Sequence, residues 1–290
     1  MAKYWQCLIA FFFLFYSTIA SSVDVVRYVN SEINPDAKQS YFVDLLALSL
    51  EASRDKYGDY LLKGIAIEMA QARTSIMLAN NELIDVAWRM TSKEIEKKLN
   101  AIYFPILKGL MGHRIFIIRA GEQGRFKSDI TLSALKKISV GQGLNWPDTS
   151  ILAANKFRVT SGYDMTLLEM LEKKRFDAFP RALHEAEVEI VGKPDLIVEE
   201  NLMLKYPAPV YFFVSKSNKR LHERLLYGLE KLLISGEFNQ LFLSHKITSG
   251  ILEKSHARQR TTFDLTNPLL SERSKALLRD KRLWIDLSAK

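Results

Sequence analysis

The chain has 290 residues, 48% hydrophobic and 26% charged, the balance of a folded globular protein; this excludes a disordered chain or a multispan membrane protein. That length holds one large domain or two smaller ones, each with its own core. The net charge of +8 is moderate and its basic residues are interleaved with acids, as in KEIEKK and LEKKRFD, which argues against a nucleic-acid track and leaves open an anionic small ligand or membrane surface.

Residues 1–22, MAKYWQCLIAFFFLFYSTIASS, carry Lys3, then an apolar run from Cys7 to Tyr16, then the small residues Ala20, Ser21 and Ser22. This is the layout of a cleavable secretory signal, cut after Ala20 or Ser22. The run falls short of the ~20 apolar residues of a retained span. Cys7 is the only cysteine and lies inside the run, so a lipidated mature amino terminus is not supported. A mature chain without thiols has neither disulfides nor a thiolate metal site, and suits an oxidising compartment such as the bacterial periplasm.

From there strands and helices alternate. VDVVRYV (Val23 to Val29) reads as a strand, Ser40 to Tyr57 as a helix stopped by Gly58, Tyr60 to Ile65 as a strand, Met69 to Asn81 as a helix and Ile84 to Met90 as a third strand. That order predicts a parallel sheet with covered faces. After GLMGHRIFIIR, with a strand at Ile115 to Ile118, a second series begins. Its strands are Ile138 to Val140 before GQG and Phe157 to Thr160, with a helix from about Asp148 between them; another helix follows, with Asp164 as N-cap and Leu167, Leu168 and Leu171 facing in.

KRFDAFPRALHEA (residues 174–186) then runs a short burst, Phe176 to Phe179, into Pro180 and Arg181. Proline gives no amide to a ladder, so the chain is expected to leave the sheet there. Arg181 at such an exit can be a recognition residue, a solvated charge or an ion-pair partner. YPAPVYFFV (Tyr206 to Val214) reads as a crossing into a buried strand, and the stripe Leu221, Leu225, Leu229, Leu232 as a long amphipathic helix from Asn218 to Gly236. The tail, Ser255 to Lys290, is expected as an edge helix on the first unit.

Three stretches together resemble the type II periplasmic solute-binding proteins, in particular their polar amino-acid branch: ALKKISVGQG (Ala134 to Gly143), LLEMLEKKRFDAF (Leu167 to Phe179) and PVYFFVSKSNKRLHERLLYGLEKLLISGEFNQLF (Pro209 to Phe242), with DVAWRMT near Asp85. The likeness spans about residues 23 to 245. It implies an α/β, two-lobed fold, each lobe a mostly parallel sheet flanked by helices, joined by two crossing segments. Residues 23–114 plus 212–290 would form one lobe and 119–205 the other. Such proteins close on a ligand by hinge motion without transforming it.

The family's ligand clamp is an Arg in a Met-Thr-x-Thr-x-x-Arg stretch; aligned on Met90 and Thr91, that position holds Glu96, or Lys97 if the alignment slips by one. The acid that takes the ligand ammonium, five residues after the Asp of Asp-Ala, would fall on Ala182. Both departures point away from an ordinary α-amino acid. What remains is basic and aromatic. Gly141, Gln142 and Gly143 form a turn into a helix amino terminus suited to an anionic oxygen, Asn145 adds an amide, Trp146 a flat wall, and Arg181 a fork for carboxylate or phosphate. Trp88, Arg89, Arg114 and Arg119 are further candidates at the edges of the lobes. Each has a structural alternative: Trp146 as core, the glycines as turn formers, Arg181 as a partner of Glu185.

The expectation is a monomeric periplasmic solute-binding protein that captures a small, anionic or amino-acid-like ligand for an ABC-type permease, with no metal and no cofactor. Alternatives are a sensing subunit for a membrane receptor or cyclase, and an enzyme built on His184, Glu185 and Asp177. HExxH, GxSxG and phosphate-loop motifs are absent, which disfavours the enzyme.

Overall fold

The computed structural model describes residues 23–30, 39–67 and 71–287; the signal-like segment with Lys3 and Cys7 lies outside the described residues. The chain opens with β1 (Asp24–Asn30), α1 (Gln39–Ala52), α2 (Arg54–Tyr57), β2 (Tyr60–Ala66), α3 (Gln71–Ala79) and β3 (Ala87–Met90). The single helix expected up to Tyr57 is interrupted at Ser53, whose hydroxyl bonds the Leu50 carbonyl at 2.7 Å. β1 and β2 pair in parallel along their whole length, from Asp24↔Tyr60 to Asn30↔Ala66. The amides of Asp85 and Val86 both donate to the Arg27 carbonyl, and the Asp85 carboxylate grips the Arg27 guanidinium at 2.7 and 2.8 Å. Those bonds lay the chain beside β1 and delay the ladder, so the strand expected from Ile84 starts at Ala87.

Next come α4 (Lys93–Lys98), β4 (Asn100–Ala101), β5 (His113–Arg119), α5 (Leu132–Leu135), β6 (Ser139–Gly143), α6 (Pro147–Ala154), β7 (Arg158–Gly162), α7 (Leu167–Glu172), β8 (Phe179–Ala182), α8 (Ala186–Glu189), β9 (Leu196–Val198) and β10 (Leu202–Lys205). β6 and β7 pair in parallel, and β5 runs antiparallel to β8, β9 and β10. A bridge from Val140 to Ala178 joins the two groups. Beneath them Phe116, Ile118, Phe126, Val140, Ile151 and Leu152 form a core.

The strand expected to stop at Pro180 instead begins at Phe179 and runs through the proline. Pro180 faces Phe116, whose carbonyl already accepts the Glu199 amide at 2.8 Å from the other side. A residue in an antiparallel ladder turns its amide and carbonyl the same way, so Phe116 asks nothing of Pro180, and the missing N–H breaks no bond. The Pro180 carbonyl, on the outer side, accepts from Gln142 Nε2 at 3.1 Å.

β11 (Val210–Val214) returns between β3 and β4, antiparallel to both. The segments leading into and out of the two crossings lie side by side: the amides of Ile102 and Ile106 donate to the carbonyls of Phe212 and Val210, and the Tyr206 amide to that of Gly112. α9 (Lys219–Ser235) is capped by the Asn218 side chain on the Leu221 amide and ends at Gly236; Leu221, Leu225, Leu229 and Leu232 are all buried. The chain finishes with α10 (Glu237–Ser244), α11 (Ile251–Lys254), β12 (Thr261–Asp264) and α12 (Glu272–Ala276). The tail differs from the expected edge helix. β12 takes the open edge of β10 in parallel, and α12 lies against Tyr211 and Glu96, so the tail contacts both sheet systems.

Candidate functional site

β3 and α4 bring Ser92, Lys93 and Glu94 to one side of an open cleft of about 420 Å³, and the turn from β6 into α6 brings Leu144, Asn145, Trp146, Pro147 and Ser150 to the other. Pro268 and Leu269 of the tail line it as well. The Ser92 hydroxyl caps α4 by accepting from the Ile95 amide at 3.3 Å, which fixes where Lys93 and Glu94 leave the backbone. Lys93, Glu94, Leu144, Asn145 and Ser150 are exposed, while Trp146 is half-buried.

The glycines before this turn make room for aromatic rings. A Cβ on Gly143 would lie 2.3 Å from the Trp146 ring, and one on Gly141 would lie 2.1 Å from Phe176. Trp146 can therefore fold back over the end of β6, stacked on Phe179 at 6.3 Å between centroids, with the Arg181 guanidinium 4.6 Å from its ring centre.

Arg181 lies beneath Trp146 at the head of a buried charge network. Its Nε bonds Glu189 at 2.7 Å, and its guanidinium meets Glu185 at 3.2 Å. Glu185 also meets Arg114 at 3.3 Å, and Arg114 meets Asp148 at 2.6 Å. The Tyr206 hydroxyl donates to Asp148. Burial opposes charge on Arg114, yet Asp148, Tyr206 and Glu185 outweigh it and raise its pKa. Arg181 is likewise opposed by burial and raised by Glu185 and Glu189. Both forks are thus occupied by three carboxylates, an arrangement that holds α6 and α8 against β5 and β8.

The remaining candidates lie apart from the cleft. Trp88, on β3 and half-buried, stacks on Phe42 at 5.4 Å and edges Phe212, packed against the core. Arg89, on the other face of β3, bonds the Ser75 hydroxyl at 2.7 Å, and burial lowers its pKa to about 10. Arg119 bonds Glu122 and the carbonyls of Leu171 and Phe176. Asp177 accepts from the Ser139 amide and hydroxyl and from Arg125, and Glu185 pairs with Arg114 and Arg181, so both carboxylates of the trio serve ion pairs.

Glu96 has partners of its own. It accepts from the hydroxyls of Thr91 at 2.6 Å, Tyr103 at 3.0 Å and Ser274 at 2.8 Å. Sequence reasoning found Glu96 only as a missing Arg and missed both its tail partner and the pairing of Asp148 with Arg114. Among the described residues no cluster of His, Asp and Glu could hold a metal ion, and no helix is long and apolar enough to cross a membrane.

No family model and no curated protein matches the sequence. Solved structures match in fold. An extracellular-binding protein of Bacillus subtilis, described as a probable amino-acid ABC transporter component, superposes with a TM-score of 0.54 at 16% identity over 76% of this chain and 97% of its own. A Salmonella typhimurium periplasmic binding protein of high arginine specificity gives 0.52 at 12% identity, over 76% and 97%. An ancestral arginine-binding protein bound to arginine gives 0.51 at 18% identity, over 75% and 96%. The shared architecture is the two-lobed type II periplasmic-binding-protein fold.

Proposed function

We propose that this protein is an exported solute-binding protein whose cleft between Ser92–Glu94 and Leu144–Ser150 takes a small anionic or amino-acid-like solute for a membrane permease. The cleft itself carries this reading: two separate strand-to-helix turns, one from each sheet system, face each other across a space the size of a metabolite. The lobes in this reading are residues 23 to about 114 with the chain from about 212, and residues 119–205. The export assignment rests on the signal-like layout of residues 1–22.

Within the cleft, Lys93 supplies the positive charge for a carboxylate or phosphate, Asn145 and Ser150 supply neutral hydrogen bonds, and Trp146 supplies an apolar wall. Gly143 and Arg181 act through Trp146, the first by leaving room for its ring and the second by stacking beneath it. Arg114 acts one step further back, by tying α6 to β5 through Asp148. The binding assignment also draws on the fold it shares with two arginine-binding proteins and a probable amino-acid ABC transporter extracellular-binding protein.

The test is a thermal-shift screen of the chain against α-amino acids, small dicarboxylates and phosphate esters. A saturable rise in melting temperature with the compound recovered unchanged supports the reading; a bound solute at a hundred times its Kd adds ~2.7 kcal/mol. Conversion of the compound to a product, or a response to polycations in place of anions and amino acids, would end it.

A further inference from the structure

The tail beyond α10 touches both sheet systems, the second crossing and the chain just before the first. At one end β12 extends the sheet of β5, with Leu202↔Thr261 to Lys205↔Asp264 in register, and the Leu265 amide continues to the Lys205 carbonyl at 2.7 Å. Thr261 bonds the Ser128 carbonyl at 2.8 Å, and Asn155 exchanges bonds of 2.7 and 3.1 Å with the backbone of Thr266. All of these anchors lie on the second sheet system.

Within a few residues the chain has reached the other one. Asn267, buried, donates to the Pro207 carbonyl of the second crossing at 2.8 Å and holds the Leu269 amide at 2.9 Å. The Leu269 carbonyl then accepts the Lys93 amide at 2.8 Å, on the opposite wall of the cleft. Ser274, fully buried, donates to Glu96 and accepts from the Tyr211 hydroxyl at 3.1 Å, while Arg273 covers the Tyr103 ring at 3.9 Å. Finally the Trp284 ring lies so close on Gly109, just before the first crossing, that a Cβ there would be 2.4 Å from it, and Lys108 and Ile285 bond backbone to backbone at 2.8 Å.

We propose that residues 261–287 are a built-in strap that fixes the separation of the two lobes, anchored on β10 at one end, on Glu96 at its middle and on Lys108 and Gly109 at the other end. Hinge rotation requires the lobes to move about the crossings, and a segment bonded to both lobes and to Pro207, Lys108 and Gly109 must give up one set of anchors before they can. Glu96 stands where the resemblance puts the ligand-clamping Arg, and here its carboxylate joins Thr91 and Tyr103 to Ser274 of the strap. The cleft is therefore held at one width and takes its solute without a large closing motion. This holds whatever the solute is, so its failure leaves the binding reading intact, and the reverse.

The test is a distance measured by pulsed electron resonance between spin labels at Lys98→Cys and Ser133→Cys in a Cys7→Ser chain. One narrow distribution is expected. Ser274→Asp sets a second carboxylate against Glu96 and should release α12, seen as new tryptic cleavage at Arg273 and Lys275, and at least double the width of the distribution. Glu96→Gln added to Ser274→Asp restores a donor for the new carboxylate and should narrow it again, a recovery that misfolding would not give. A broad distribution in the parent chain, an unchanged width once α12 is cleavable, or no release by Ser274→Asp each overturns the proposal. Hydrogen exchange on the unsubstituted chain gives an independent reading. The amides of Lys93, Leu265 and Ile285 should exchange slowly and together; loop-like rates at Lys93 and Ile285 would also overturn it.

Discussion

Arg114 and Asp148 meet at 2.6 Å with both side chains almost wholly withdrawn from solvent. A buried pair contributes little when compared with apolar residues of the same shape, but removing one member strands the other. Asp148→Asn is therefore expected to cost ~3–5 kcal/mol, since Arg114 would keep only Glu185. Arg114→Met should cost about as much, because Asp148 would keep only the Tyr206 hydroxyl and Glu185 only Arg181. The double change Arg114→Met with Asp148→Leu should be milder than the sum of the single ones. Urea denaturation midpoints of the four proteins measure the difference, and strict additivity would contradict the coupling.

Gly143→Ala places a methyl group where the Trp146 ring now lies, 2.3 Å away. The ring must leave Phe179 and Arg181. The expected cost is ~1–3 kcal/mol for an overpacked contact, together with a red-shifted tryptophan emission as Trp146 enters water. An unchanged spectrum would show that Trp146 does not depend on Gly143 for its place.

His113, at the start of β5, is buried, and burial lowers its pKa to about 4, with the positive charge of Lys205 on β10 adding to the effect and Asp264 opposing it. In the unfolded chain a histidine titrates near ~6.5. Between those values the unfolded state binds the proton and the folded state does not, so stability is complete above about pH 6.5 and falls as pH drops toward 4, by up to ~3 kcal/mol from this group. His113→Gln should flatten the slope of denaturation midpoint against pH between pH 6.5 and 4.5. Parallel slopes for the two proteins would assign the acid sensitivity to other groups.

The features legible in the sequence are those that local spacing determines. The leucines at 221, 225, 229 and 232, with Asn218 before them and Gly236 after, specify α9 without any knowledge of what it packs on. The parallel pairs follow from strands alternating with helices. The buried charges were half legible: Glu185 lies four residues from Arg181, within reach on any helical turn, whereas Arg114 and Glu185 are 71 residues apart and meet only because β8 registers Ala182 against Arg114. Pro180 misled for a related reason, since the cost of a missing amide depends on which side of the strand the neighbouring carbonyl faces. TTFD is too short to announce a strand, and only the free edge of β10 makes it one.

Lys93 and Arg181 give opposite expectations, although both are cations near the same cleft. Lys93 is exposed and lines the cleft at the wall formed by α4, its backbone amide is taken by Leu269, and its charge is felt by Glu272 of the tail. Arg181 is buried, with its guanidinium committed to Glu185 and Glu189. Lys93→Ala should therefore leave the melting temperature of the free protein within a degree or two and weaken an anionic solute about tenfold, the ~1.4 kcal/mol of one charge-assisted contact. Arg181→Ala should lower the melting temperature by several degrees, because it strands Glu189 and leaves Glu185 with Arg114 as its one cation, and should alter affinity only through a displaced Trp146. Titration calorimetry well below both midpoints, using whichever solute the thermal screen identifies, separates the two. A solute that binds Lys93→Ala as tightly as the parent, and loses affinity on Arg181→Ala with Trp146 fluorescence unchanged, would place the anion on Arg181 and move the site beneath the tryptophan.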